Sequence, residues 1–233
     1  RTMSYLFFLF LIIPSFIFSD DENFDNKIKE FILKNPSVII ESINNYQKII
    51  EKEEKEAKKN YLEKNSKLIN NSHQTLGNEN AKYIITEFFD YRCGYCVKAH
   101  KELMKMKEKN NNIKIVLKNL PVLTKDSFRL AKISLAVALK EPKIFEQFHT
   151  HIFNHSKSLS DKKIKEYFEK NGITSSAIFE LAQSEKVKQL LEKDFALADD
   201  LNISGTPAFV VKKEIYTGWV GNEVLESALK SQQ

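Results

Sequence analysis

Tyr83-Ile84-Ile85-Thr86-Glu87-Phe88-Phe89-Asp90 leads through Tyr91-Arg92 into Cys93-Gly94-Tyr95-Cys96, and this stretch decides the fold. Its first eight residues are β-branched and aromatic except for Glu87 and Asp90, the composition of a buried strand. The residues from Cys93 to about Lys109 have helical spacing, with Cys96, Leu103 and Met106 on the inward side. A strand that feeds a Cys-x-x-Cys at the start of a helix places the first cysteine among unpaired amide groups. There the helix dipole favours a negative charge, so the thiol ionises more readily.

Outward from this centre, Ile113-Lys114-Ile115-Val116-Leu117 reads as a second strand, ended by Pro121. From Asp126 to about Asn202 the pattern is helical, marked by Ala131, Leu135, Ala138 and Leu139, then Ile164, Tyr167 and Phe168, then Ile178, Leu181, Val187, Leu190 and Leu191. Gly205-Thr206-Pro207 opens a strand over Ala208-Phe209-Val210-Val211, a turn falls near Lys212-Lys213, and Ile215-Tyr216-Thr217 makes a last short strand. A final helix carries Val224, Leu225 and Leu229. The order β–α–β, helical block, β–β–α predicts an α/β thioredoxin-like fold with helices inserted at about 124–202. The first two strands are expected to be parallel through a crossover helix, and the last two to form an antiparallel hairpin.

Upstream, Phe24, Ile28, Phe31 and Ile32 predict a helix that Asn35-Pro36 interrupts. Ile39, Ile43, Tyr46 and Ile50 then alternate four- and three-residue steps, a short heptad-like seam. Glu51 to Lys59 is a strong helix former with hardly any apolar face, which Ala57, Tyr61 and Leu68 continue only weakly. Asn70 to Asn80 is polar, contains Gly77, and reads as a linker. The expected division is a signal segment over 1–19, a helical arm and linker over 20–75, and the catalytic domain over 76–233. The arm carries an apolar stripe that it cannot bury by itself. The signal reading rests on the uncharged apolar run Tyr5–Phe18, preceded by Arg1 and followed by Asp20-Asp21-Glu22-Asn23. A buried or interfacial helix, or an uncleaved anchor, is the competing account of that run.

The 233 residues carry a formal charge of +5, but 29% are charged and the signs interleave. That is a solvated surface rather than a nucleic-acid footprint. Cys93 and Cys96 are the only cysteines, and the loop between them is too short to staple a fold, so a chemical role is favoured. The second cysteine, one turn along, can attack a mixed disulfide and release the partner. Gly94-Tyr95 places no positive charge beside Cys93. Structural zinc wants four ligands, and His73, His100, His149, His151 and His155 show no finger-like arrangement with the pair, so no metal is expected. His151 and His155 stand four apart on an expected helix without the Glu of a zinc-protease motif.

Glu87 to Cys96 resembles the active-site strand and helix of the DsbA-like branch of the thioredoxin superfamily. Gly205-Thr206-Pro207-Ala208-Phe209 resembles that branch's cis-proline loop, and the helical block resembles its inserted domain. The resemblance covers about residues 81–233, and the helical arm resembles the oligomerising arm of ScsC-like members. It implies thiol–disulfide exchange on unfolded or misfolded exported proteins, in the periplasm or an equivalent exported location. Cys93 would be the nucleophile, Cys96 the resolving thiol and Glu87 a buried proton acceptor. Gly94, Tyr95, Thr206 and a cis Pro207 would align the substrate. No cofactor is implied, a membrane redox partner would reset the cysteines, and a homo-oligomer, trimer or dimer, is expected. Gly-Tyr between the cysteines and Thr before the proline resemble the family's isomerases, so isomerase or reductase is favoured. A dithiol oxidase of the same family, or a chaperone-like module for misfolded exported proteins, is the alternative.

Overall fold

The computed structural model describes residues 21–155 and 158–231, so the expected signal segment lies outside the described residues. Five strands form one sheet: β1 (Thr75–Gly77), β2 (Tyr83–Phe89), β3 (Ile113–Asn119), β4 (Ala208–Val211) and β5 (Glu214–Thr217), in the order β1-β3-β2-β4-β5. Only β2 and β3 are parallel, and the helix that joins them is α4 (Gly94–Lys109). The β1–β3, β2–β4 and β4–β5 pairs are antiparallel. This is the expected thioredoxin-like α/β fold.

The inserted block holds α5 (Lys125–Lys140), α6 (Phe145–His155), α7 (Asp161–Lys170), α8 (Ser175–Ala182) and α9 (Glu185–Asp200). Sequence sets several of its starts. The side chains of Thr124, Ser160 and Ser184 each accept a hydrogen bond from the backbone N–H three residues on, at the first turns of α5, α7 and α9. The last helix, α10, spans Asn222–Lys230.

Strand alternation assigns the two faces of the sheet. Ile85, Phe89, Ile115, Leu117, Phe209 and Val211 join the larger core with Cys96, Leu103 and the inserted helices. Phe88, Ala208 and Val210 point the other way, into a smaller core with Leu62, Ile69, Leu197 and Leu201. Glu87 shares the parity of Ile85 and Phe89, which puts it on the cysteine side.

Upstream lie α1 (Asp21–Lys34), α2 (Ser37–Lys64) and α3 (Ser66–Ile69). The chain divides into two compact units, Arg1–Glu54 and Lys55–Gln233. In the first, Phe24, Ile28, Phe31, Ile39, Ile43 and Tyr46 are all exposed. The second takes in residues upstream of 76. The polar stretch read as a linker instead contains β1, whose Leu76 is buried against the larger core. Its polarity hid a three-residue edge strand that exists only through pairing with β3. The weak stripe through Leu68 is also corrected: Leu62 and Ile69 are buried and Leu68 is exposed. Leu62 and Ile69 keep the seven-residue step of Tyr61 and Leu68, so the buried stripe runs one residue along from the expected one.

Candidate active site

The turn that delivers Cys93 is built by Asp90. This buried carboxylate accepts the backbone N–H of Arg92 at 2.7 Å on one oxygen and that of Leu123 at 3.0 Å on the other. It therefore shapes its own turn and fastens the loop after β3 to it. The Cys93 N–H donates to the Asp90 carbonyl at 3.1 Å. Cys93 is thus the N-cap of α4, extended at φ −79° and ψ 120°. The strand pattern marks Asp90 only as a strand end, although an Asp whose carboxylate can reach the N–H two residues on is a recognisable turn signal.

Both cysteines are free thiols. Cys93 keeps 7% of its surface exposed and Cys96 none. The Cys93 sulfur donates to the Thr206 carbonyl at 3.3 Å. Its thiol is pushed down to about 5, first by the hydrogen bond from the Cys96 thiol, against the opposing effect of burial. The Cys96 backbone N–H, the Thr206 side chain and the Tyr95 backbone N–H add to the stabilisation. Burial drives the Cys96 thiol strongly the other way, with its hydrogen bond to Cys93 and the Glu87 charge adding to it. At neutral pH the pair holds one thiolate, on Cys93.

Glu87 is 1% exposed, and its registered neighbours on β3 and β4 are Leu117 and Phe209. Its Oε1 has no hydrogen-bond partner among the described residues. Burial first, then the Cys93 charge, push the carboxyl up to about 8.

The remaining expected site residues fall around the thiols. Tyr95 is exposed, and a Cβ added to Gly94 would meet nothing within 4 Å, so neither position is closed off by packing. The Thr206–Pro207 bond is cis, with Pro207 buried and its carbonyl accepting the Gly218 N–H at 2.8 Å. Trp219 packs edge-on against Phe209. His151 and His155 lie ring to ring at 4.4 Å. Among the described residues no group of three or more His, Cys, Asp and Glu is arranged to hold a metal ion.

The model of the DSBA-like thioredoxin domain matches residues 84–230. The thiol-disulfide exchange protein alpha-DsbA2 of Wolbachia pipientis is similar at 23% identity and a TM-score of 0.68, covering 76% of this chain and 96% of that one. The catalytic domain of Proteus mirabilis ScsC is similar at 24% identity and a TM-score of 0.65, over 74% of this chain and 96% of that one. A Proteus mirabilis ScsC variant with a linker deletion covers 89% of this chain and 92% of its own, at 21% identity and a TM-score of 0.66. At these identities the likeness carries the fold. Among curated proteins, the Na(+)/H(+) antiporter NhaA 1 of Salinispora arenicola is 23% identical over 155 residues, 66% of this chain and 24% of that protein. The chain thus spans about a quarter of the length of that curated relative. Among the described residues no helix is long and apolar enough to cross a membrane.

Proposed function

The chain belongs to the DsbA-like thioredoxin family of thiol–disulfide oxidoreductases, and from that premise we propose that it reshuffles disulfides on misfolded exported proteins. The opposed displacement of its two thiols carries this reading: Cys93 is held as a thiolate while Cys96 keeps its proton. The Cys93 thiolate attacks a substrate disulfide. One S–S bond breaks, a Cys93–substrate bond forms, and the other substrate sulfur leaves as a thiolate. That thiolate attacks a different disulfide of the same chain, and the thiolate released there attacks the Cys93–substrate bond, which frees Cys93 as a thiolate and leaves the substrate with a new pairing; this is isomerisation.

The escape route uses Cys96. Once Cys93 is bound in the mixed disulfide its charge is gone, and with it the part of the Glu87 shift that the charge caused. Glu87 then ionises more readily and takes the Cys96 proton. The Cys96 thiolate attacks the Cys93 sulfur and frees the substrate as a thiolate, leaving a Cys93–Cys96 disulfide. Thr206, Pro207, Gly94 and the exposed Tyr95 border the sulfur and align the substrate. A membrane redox partner in the exported compartment would reduce the pair again.

Thiolate stabilisation favours the reduced dithiol, the form that an isomerase needs resting. It works against a reductase, whose oxidised form must be the stable one. The same observation favours a second reading, dithiol oxidase, because a stabilised thiolate also makes the disulfide a strong oxidant. The two differ in the exposed arm: Phe24, Ile28, Phe31, Ile39, Ile43 and Tyr46 support burial against copies of the chain, a trimer or dimer that gathers several Cys93 sites. The test is repair of scrambled disulfides by the full chain and by Ile39→Glu/Ile43→Glu. An oligomer that repairs, and a double variant that is monomeric and repairs poorly, are expected. A monomeric parent at micromolar concentration, or net oxidation of reduced substrate without repair, overturns the isomerase reading.

A further inference from the structure

Behind the Cys93 turn lies a buried polar chain that the exchange chemistry does not use. Tyr91, two residues before Cys93, is 1% exposed. Its hydroxyl meets Ser134 Oγ of α5 at 2.5 Å and His149 Nδ1 of α6 at 2.7 Å. Ser134 Oγ also accepts from Gln74 Nε2 at 2.8 Å, and Gln74 Oε1 accepts from Asn119 Nδ2 at the end of β3. Gln74, Ser134 and His149 have no exposed surface. Rings enclose the imidazole: Phe89, Phe145 and Phe153, with His100 at 4.9 Å. Burial, then the neighbouring His100, hold His149 well below its ordinary value, so it is neutral, and its Nε2 has no hydrogen-bond partner among the described residues.

A fully buried imidazole with one nitrogen unpartnered is a costly choice for an apolar pocket, where Leu or Phe would pack without that loss. What it secures is a fixed point for one hydroxyl. Tyr91 hangs from two inserted helices at once, while its backbone belongs to the turn between Asp90 and Cys93. The stabilising contacts on the Cys93 sulfur come from separate elements: α4 supplies first the Cys96 thiol and then the Cys96 and Tyr95 amides, and the loop before β4 supplies Thr206. They act together only if the Cys93 backbone is held in one place.

We propose that Tyr91, His149 and Ser134 form a positioning network through which the inserted helices set the reactivity of Cys93. The inference rests on Cys93 being the acidic thiol. Tyr91→Phe keeps the ring packing and removes only the hydroxyl. His149→Asn keeps a short polar group within reach of Tyr91, and His149→Phe does not. In each full-length reduced protein, the thiolate absorbance near 240 nm is titrated, with thermal unfolding recorded alongside. Tyr91→Phe and His149→Phe are expected to raise the titration midpoint by about half a unit or more. They should slow attack on a small aromatic disulfide at pH 5 by about twofold, the loss of thiolate that a half-unit shift implies there. His149→Asn is expected to stay close to the parent. Parent-like midpoints in Tyr91→Phe and His149→Phe, whatever happens to their unfolding temperatures, overturn the inference and leave the Cys93 assignment standing. If His149→Phe fails to fold, Tyr91→Phe decides alone. A titration that survives Cys93→Ser refutes the Cys93 assignment itself, and the inference with it.

Discussion

Replacing Glu87 by Gln should make this protein more stable and a poorer catalyst, and the gain should depend on pH in a calculable way. The Glu87 carboxyl moves from an ordinary 4.5 to about 8 in the folded chain. Between those values the unfolded chain has lost the proton and the folded chain keeps it. Folding therefore takes up a proton, and stability falls as pH rises. The contribution is fully present below 4.5 and is lost as pH rises through about 8. Each pH unit in that window is worth about 1.4 kcal/mol. From 4.5 to 7 the loss amounts to about 3 kcal/mol. Gln cannot ionise, so Glu87→Gln escapes it. Relative to its own offset at pH 4, the variant should gain about 3 kcal/mol by pH 7, about 6–12 °C in unfolding temperature for a chain of this size. Urea unfolding of both reduced proteins at pH 4, 5, 6 and 7 measures this directly. A difference that does not change with pH, or that shrinks as pH rises, refutes the reasoning. Repeating the series with Cys93→Ser should narrow the window from the top, because the Cys93 charge is the second cause of the shift. The same Gln leaves Cys96 without a proton acceptor, so mixed disulfides should resolve more slowly.

Alkylation of the native reduced protein should label Cys93 and spare Cys96, with a rate that inflects near pH 5, and Cys96→Ser should accumulate mixed disulfides with substrate. Preferential labelling of Cys96 overturns the order of the two thiols. Leu62→Ala should cost about 2–5 kcal/mol in denaturant unfolding, because Leu62 is 1% exposed in the smaller core. Leu68→Ala, at an exposed site, should stay within about 0.5 kcal/mol; equal effects at the two positions contradict the assignment of the buried stripe to Leu62 and Ile69.

That one-residue offset illustrates where the sequence stops being legible. In so polar a stretch the apolar residues are too sparse to fix the buried face, and Tyr61-Leu62 and Leu68-Ile69 each offer two adjacent candidates. The strand β1 escaped for a related reason: three residues set among Asn, Ser and His have no pattern of their own, and their extended form comes from β3. By contrast β2, β3, β4 and the Cys-x-x-Cys helix each carry a local signal as long as the element. Gly205-Thr206-Pro207 is equally local, and its Thr206 carbonyl accepts from the Cys93 sulfur.

The same distinction separates the site residues that were found from those that were missed. Glu87 stood out because a carboxylate among Ile85, Phe88 and Phe89 contradicts the strand around it, and strand parity then assigns its face. Ser134 contradicts nothing: a small hydroxyl on α5 is unremarkable, as is Gln74 in a polar stretch. His149 lacks metal-ligand spacing, and its sequence neighbours give an imidazole there no other chemical meaning. Their significance is relational, since Ser134 and His149 need Tyr91 within reach and Gln74 needs Ser134, and the contacts span 60 residues between Gln74 and Ser134 and 58 between Tyr91 and His149. A reader of sequence sees chemistry where one residue breaks the local rule. Chemistry assembled from residues that each obey it, such as the anchoring of Tyr91, appears only when the inserted helices are brought against the end of β2.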